Sequence, residues 1–481
     1  MNYKALFRII GVFLIFHSLG LIPPIIVSAY YADGQILDFF YPLLFSLFSG
    51  LVLWLPNINN NSDLHRHEGF LVVAAFWFIL TAVSALPFIL GPHLGFVDSF
   101  FEAASAFTTT GATVITGLDK MPRSLLFYRQ ELQWLGGMGI IVLAVALLPL
   151  LRMGGMQLYR AETPGPMKDE KITPRIAHTT RIFWLIYLMI TTLCTLSYWA
   201  AGMSLFDAIS HSMSTVSTGG FSTHDASMSY FHSLPIELIT ILFMFLGALN
   251  FSMHYLAIHK RSLRVYFTNP EIQAFTGIIL LSITVASLKL YFDHTYPDYL
   301  AALRHSAFIT VSIITSTGYT TETFSSWAPF VVTLLFLISF VGGCSGSTAG
   351  GIKVIRVILL VKQGYREILR LIHPNIILSL KIQKRAFPDS VTNGVWGFFA
   401  LYIAVFSLAM LAIMASGVDQ VTAFSAVTSA MNNLGPGLGT ISSTFQSLNE
   451  WNKMILAICM LLGRLELFTI LILLTPAYWR R

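Results

Sequence analysis

The sequence predicts an all-α polytopic membrane protein, in which four helix–re-entrant loop–helix repeats stand pseudo-four-fold around one pore, with two extra N-terminal transmembrane helices. Three observations lead there. Of 481 residues, 55% are hydrophobic and only 11% charged, with a mean hydropathy of +0.70; soluble domains carry roughly a quarter charged residues. Ten apolar runs approach the ~20 residues a bilayer span requires. Between them lie four shorter, more polar stretches, each stopped by glycine.

The apolar runs fall near 5–29, 36–56, 69–91, 128–151, 181–201, 234–258, 272–292, 328–361, 393–416 and 453–478. The first exceeds the ~7–15-residue core of a signal peptide, so it is read as a retained helix despite "VSA" at 27–29. Of 29 Lys and Arg, 22 fall in segments that one topology places on a single side: Lys4, Arg8, Arg66, the 152–181 and 259–270 loops, the 353–385 stretch, Arg480 and Arg481. That asymmetry is the positive-inside signature and puts both termini in the cytoplasm. The pI near 9.1 therefore reflects orientation and lipid headgroups rather than nucleic acid.

The four short stretches are 98–115 ("DSFFEAASAFTTTGATVI"), 205–222 ("LFDAISHSMSTVSTGGFS"), 302–321 ("ALRHSAFITVSIITSTGYTT") and 421–439 ("VTAFSAVTSAMNNLGPGLG"). Each reads as a short helix that enters the membrane, turns and leaves by the same face. Irregular backbone at that depth survives only in protein or beside a water-filled cavity. Aligning Gly111, Gly219, Gly318 and Gly435 gives spacings of 108, 99 and 117 residues. The implied units are a two-helix extension (1–60) and repeats at 67–160, 175–262, 265–365 and 388–481.

The loop chemistry suits a cation. Rings of backbone carbonyls replace an ion's hydration shell without a fixed charge that would trap it. Glycine reaches the backbone angles that turn successive carbonyls toward one axis, and each short helix aims its partially negative C-terminus there. The candidate filter residues are Thr109, Thr110, Gly111 and Ala112; Ser217, Thr218, Gly219 and Gly220; Ser316, Thr317, Gly318 and Tyr319; and Asn433, Leu434, Gly435 and Pro436. The potassium ion is expected at Thr110–Gly111, Thr218–Gly219, Thr317–Gly318 and Leu434–Gly435. One such glycine alone would be read as a packing notch; four in one phase argue for a filter. Leu434 in place of threonine predicts four sides without strict symmetry.

The strings "AFTTTGATVITGL" (106–118), "QELQWLGGMGIIVL" (130–143), "STVSTGGFST" (214–223), "VGGCSGSTAGGIK" (341–353) and "NNLGPGLG" (432–439) resemble the Trk/Ktr/HKT superfamily of potassium transporters. The likeness runs the length of the chain and is nearest to the pore-forming TrkH/TrkG family of the bacterial Trk system. The extra helices at 5–29 and 36–56 favour Trk over Ktr. The resemblance implies potassium transport in a bacterial inner membrane and a homodimer with one pore per protomer. It also implies a cytosolic ring of TrkA-like nucleotide-binding subunits. In the plant branch, Ser at the first filter position accompanies sodium transport, so Gly111 favours potassium.

Below the filter, "VGGCSGSTAGGIK" interrupts the 328–361 run. Each glycine costs a helix up to ~1 kcal/mol relative to alanine. The segment, comprising Gly342, Gly343, Cys344, Ser345, Gly346, Ser347, Thr348, Ala349, Gly350 and Gly351, is read as a gate, with a small-residue packing face as the alternative. A phosphate loop is excluded, because the G-K-[ST] ending is missing. Arg464, inside the last run, costs ~2.5–3.5 kcal/mol at mid-membrane and is read as an electrostatic brake. The resemblance implies that this arginine lies in the pore.

Other signals carry less. Cys194, Cys344 and Cys459 form no CxxC, and His211, His232 and His254 read as polar lining. Asp98 and Glu102 read as outer-mouth carboxylates, and "QWLGGMGI" (133–140) as close helix packing. The basic amphipathic stretch 366–385 suits the inner leaflet or the cytosolic ring. Ser and Thr lack a matched base, so no enzyme is expected, and no cofactor beyond K+ in the filter. The alternative on the same scaffold is a symporter moving potassium with protons or sodium, for which Glu466 is the clear intramembrane carboxylate.

Overall fold

The computed structural model describes residues 3–58, 66–139, 176–374, 380–382, 385–386 and 388–480. Each repeat has three parts: an outer helix, a buried pore helix and an inner helix. The outer helices are Arg66–Ser84, Ile176–Ala200, Pro270–Phe292 and Asp389–Met414; the pore helices are Phe96–Phe107, Leu205–Val216, Tyr299–Ile314 and Gln420–Asn432. The inner helices begin at Arg123–Gly137, Leu234–Gly247, Pro329–Ser339 and Glu450–Arg464. A two-residue antiparallel pair, Lys381–Ile382 with Arg385–Ala386, is the strand content among the described residues.

Local chemistry starts these helices where the sequence allows. Ser204, Asp298 and Asp419 cap three of the pore helices by accepting from the amides of Asp207, Ala301 and Thr422, which satisfies donors a helix leaves open at its N-terminus. The second and third inner helices carry proline in their first turn, where its missing N–H costs nothing.

Among the described residues, six helices are long and apolar enough to cross a membrane, or eight if two bent pairs are single spans. The ten expected runs differ from this because the inner helices are broken. Leu234–Gly247 meets Phe251–Lys260 at 97°, and Glu450–Arg464 meets Phe468–Leu474 at 105°. The 328–361 run splits into Pro329–Ser339 and Val354–Ile372 around an irregular loop. The run at 128–151 is helical to Gly137, and residues 140–151 lie outside the described residues, as does most of the 152–181 loop. The 366–385 stretch is helical through Ile372; residues 375–379 and 383–384 lie outside the described residues.

The two N-terminal helices pack on each other through glycine. A Cβ on Gly11 would lie 2.7 Å from the Gly50 carbonyl, and one on Gly50 2.8 Å from the Gly11 carbonyl, the small-residue contact that lets membrane helices approach closely. His17 then ties the pair to the first repeat, its ring nitrogens 3.2 Å from Ser46 Oγ and 2.8 Å from Ser84 Oγ.

Candidate ion pathway

All four pore helices end in one way. The amides of Thr110, Gly219, Thr317 and Leu434 reach back to the carbonyls of Ser105, Ser214, Ser312 and Ser429 at 2.8–2.9 Å. That is the Schellman closure, in which the preceding residue adopts the left-handed conformation. Those residues are Thr109, Thr218, Ser316 and Asn433, with φ between 52° and 58°. A side chain at positive φ is uncommon; four at equivalent places mark backbone held by its surroundings.

Two residues further on, φ turns positive again at Gly111, Gly220, Gly318 and Gly435. The alignment read from sequence is therefore displaced by one in the second loop: Gly220, not Gly219, matches the other glycines. Gly219 corresponds to Thr110, Thr218 to Thr109, and Ser217 caps the pore helix one place before the turn. The doublet Gly219–Gly220 hid this. A serine six residues before each glycine (Ser105, Ser214, Ser312, Ser429) carries the register and could have revealed it.

The glycines close a ring. A Cβ on Gly111 would fall within 3 Å of the Gly219 carbonyl, one on Gly220 against Thr317, one on Gly318 against Leu434, and one on Gly435 2.8 Å from Thr110. Each glycine thus nests on the carbonyl that precedes the next repeat's glycine. All four line the floor of a single open vestibule of about 620 Å³, together with Thr113, Arg129, His224, Thr320, Glu322 and Pro436.

Side chains brace this ring from behind. Tyr319 Oη donates toward the carbonyls of His211 and Phe221, each at 3.3 Å. Asn433 Nδ2 donates to Thr110 Oγ1 and to the Met460 carbonyl, both at 3.0 Å. Glu102 is not an outer-mouth carboxylate: it is fully buried. Its Oε1 pairs with Arg129 Nε at 2.8 Å, and it also accepts from Thr113 Oγ1 and the Val114 amide. Asp98 instead meets Lys453 at 2.7 Å. The Glu102–Arg129 pair leaves no signal in the sequence, since single polar residues in apolar runs give no spacing to read.

Beneath the ring the helix breaks gather. Gly136, Gly247 and Gly463 lie so close to the carbonyls of Phe107, Val216 and Met431 that a Cβ would clash. Gly136 and Gly137 of "QWLGGMGI" are both at close contacts. The loop 342–351 packs against these breaks. Thr348 Oγ1 donates to the carbonyls of Val216 (3.1 Å) and Gly247 (3.0 Å), and the Gly350 amide donates to Ser316 Oγ at 2.6 Å. The amides of Cys344 and Ser345 donate to the Ala248 carbonyl at 2.9 Å and to Glu271 Oε1 at 2.6 Å. Gly342, Gly346 and Gly351 have positive φ, which explains why the segment cannot be helical. Gly343 and Ala349 pack face to face, and Ser347 Oγ donates to the Cys344 carbonyl.

Arg464 ends the last inner helix and reaches into the same place. Its guanidinium donates to the carbonyls of Thr348 (3.0 Å), Gly137 (2.7 Å) and Gly136, and toward Thr109 Oγ1 (3.4 Å). Glu466 turns the other way and pairs with Arg356 at 2.5 Å.

This arrangement can be compared with known proteins. The family model TrkH, described as a cation transport protein, matches residues 36–481. The chain belongs to the TrkH family. The Trk system potassium uptake protein TrkH of Salmonella typhimurium is 48% identical over the full length of both chains. The TrkG protein of Escherichia coli is 39% identical over 96% of each. The crystal structure of the potassium transporter TrkH from Vibrio parahaemolyticus superposes with a TM-score of 0.91 at 45% identity, covering all of both chains. The all-helical architecture is thus that of a TrkH family member. No group of three or more His, Cys, Asp or Glu able to hold a metal ion occurs among the described residues.

Proposed function

We propose that this chain is the potassium-conducting subunit of a Trk-type uptake system, passing K+ and Rb+ through a filter made by its own four loops. One observation carries the reading: glycines from four distant segments meet on the floor of one vestibule, each nested on the next loop's carbonyl. Main-chain oxygens at 109–111, 218–220, 316–318 and 433–435 would replace the ion's water. Four pore-helix C-termini, each partially negative, favour a cation over an anion there.

The 342–351 loop is proposed as the gate and Arg464 as its clamp, because together they touch all four repeats directly under the ring. Homodimerisation, control by a cytosolic TrkA-like nucleotide-binding ring, and an inner-membrane setting with both termini cytoplasmic belong to the same proposal. They are supported by the relatives' place in Trk systems and by the distribution of Lys and Arg. The symport alternative loses its main support, since Glu466 is engaged by Arg356.

Rubidium-86 uptake into proteoliposomes, with potassium, sodium and caesium as competitors, tests the proposal. Potassium should compete best, and the zero-current potential should follow the potassium gradient alone. A potential that also tracks the proton or sodium gradient refutes the conducting-pore reading in favour of coupled transport.

A further inference from the structure

Gly219 raises a question that the filter ring does not answer. Its counterparts in the other loops are Thr110, Thr317 and Leu434, so the position accepts a side chain elsewhere. Its φ is not among the positive values, so backbone strain does not require glycine. What excludes a Cβ is the carboxamide of Gln133, whose Oε1 would lie 2.5 Å from it and whose Cδ would lie closer.

Gln133 belongs to the first repeat's inner helix, yet it serves the second loop. Its Nε2 donates to the Gly219 carbonyl at 2.7 Å, while its Oε1 accepts from Ser214 Oγ at 2.7 Å and from the Phe221 amide at 3.2 Å. Three contacts span the whole turn, from pore helix to filter exit. The residue is fully buried. Counting three places before the break glycines Gly136, Gly247 and Gly463 gives Gln133, Met244 and Met460, so the second and fourth repeats have an apolar side chain there. In the first and third loops the turn is braced internally, by the Thr108–Thr110 and Thr315–Thr317 hydroxyl pairs at 2.8 Å. The second loop has no side chain at 219 to do this.

We propose that Gln133 is a positioning residue for ion selection: it replaces the missing side chain at 219 and fixes the direction and spacing of the second quadrant's carbonyls. The proposal rests on the filter reading above. A carbonyl donated to by an amide is held in place, and a ring with one slack quadrant would fit the smaller sodium ion as readily as potassium. Buried polar groups of this kind rigidify only when every contact is made.

The test uses the full-length protein in proteoliposomes. It reads K+ over Na+ discrimination from bi-ionic zero-current potentials and maximal Rb+ uptake separately. Gln133→Glu keeps the shape and both acceptor contacts but sets an oxygen against the Gly219 carbonyl. It should lower discrimination at least about tenfold with thermal stability in detergent near that of the unmodified protein. Gly219→Ala alone should cut uptake more than tenfold through its clash with the carboxamide. Combined with Gln133→Ala, which vacates that space, uptake should recover severalfold while discrimination stays low. A merely structural role would move uptake and discrimination together.

The proposal is overturned if Gln133→Glu and Gln133→Ala retain full discrimination, or if the double variant is as inactive as Gly219→Ala. An unmodified protein without potassium preference overturns the filter reading itself, and the role of Gln133 falls with it. A potassium-preferring protein whose Gln133 variants keep that preference overturns this proposal alone.

Discussion

Replacing Arg464 with alanine should open the pathway in the absence of any partner protein. Its hydrogen bond to the Thr348 carbonyl, at 3.0 Å, holds the 342–351 loop; those to Gly136, Gly137 and Thr109 seat the guanidinium against the first repeat. A hydrogen bond from a charged group contributes about 1.5–3 kcal/mol, and every ~1.4 kcal/mol is tenfold in an equilibrium. Losing that bond therefore shifts the loop away from its packed position by roughly 10- to 150-fold. Removing the positive charge from beneath the ring acts in the same direction. The assay is initial Rb+ uptake into proteoliposomes at matched protein density. Arg464→Lys should fall between the two, because an ammonium keeps the charge but lacks the planar fork that reaches Thr348 and Gly137 together. An Arg464→Ala rate within twofold of the unmodified protein would refute the clamp.

Three further outcomes are expected. Gly318→Ala should cut potassium uptake more than tenfold, since its φ is +80° and the added Cβ would meet the Leu434 carbonyl and lie 2.6 Å from Pro436 Cδ; competition assays against sodium would detect it. Glu102→Ala should destabilise the protein by about 3–5 kcal/mol, the cost of leaving a buried partner charge uncompensated, because Arg129 is buried with it; thermal melting in detergent measures this, and an unchanged melting temperature speaks against the pair. His224, at the vestibule, sits 2.5 Å from Asp119 and 3.5 Å from Asp207. Burial pulls its pKa down, but these carboxylates outweigh burial and leave it raised. Its folded pKa thus exceeds the ordinary value of ~6.5, so its contribution is complete below that pH and is lost as pH rises through the folded value. The melting difference between the unmodified protein and His224→Gln should accordingly be larger at pH 6 than at pH 8.5; a difference that grows with pH contradicts the assignment.

The sequence disclosed the repeat because pore helices leave a compositional trace: short, rich in Ala, Ser and Phe, and stopped by glycine between apolar runs. It disclosed the 342–351 break for a similar reason, five glycines in ten residues. The bends after Gly247 and Gly463 were invisible, because hydropathy does not register a change of direction within an apolar run. Glu466 and Leu467, with φ of 55° and 50°, carry the second of these bends with residues that give no turn signal. The register of the second loop was misread because two adjacent glycines fit the pattern equally well. Backbone angles, and the serine six residues earlier, separate the one that turns the chain, Gly220, from the one that yields space to Gln133. Glu102 reads as an outer-mouth residue because half-exposed carboxylates are common at a membrane surface; its partner, Arg129, lies 27 residues away, beyond any local pattern.

A filter of the kind proposed, with every wall written in one polypeptide, has a genetic consequence. In an assembly of identical subunits, a single codon change strikes all sides simultaneously, and most such changes ruin the opening. In the proposed filter a substitution at a glycine strikes its own side and, through the carbonyl on which that glycine nests, the next, and leaves the other two as they were. The proposed permeability is therefore open to small, unequal adjustments, and the four quarters need not match: Gly219 and Leu434 stand where the other two loops carry Thr110 and Thr317.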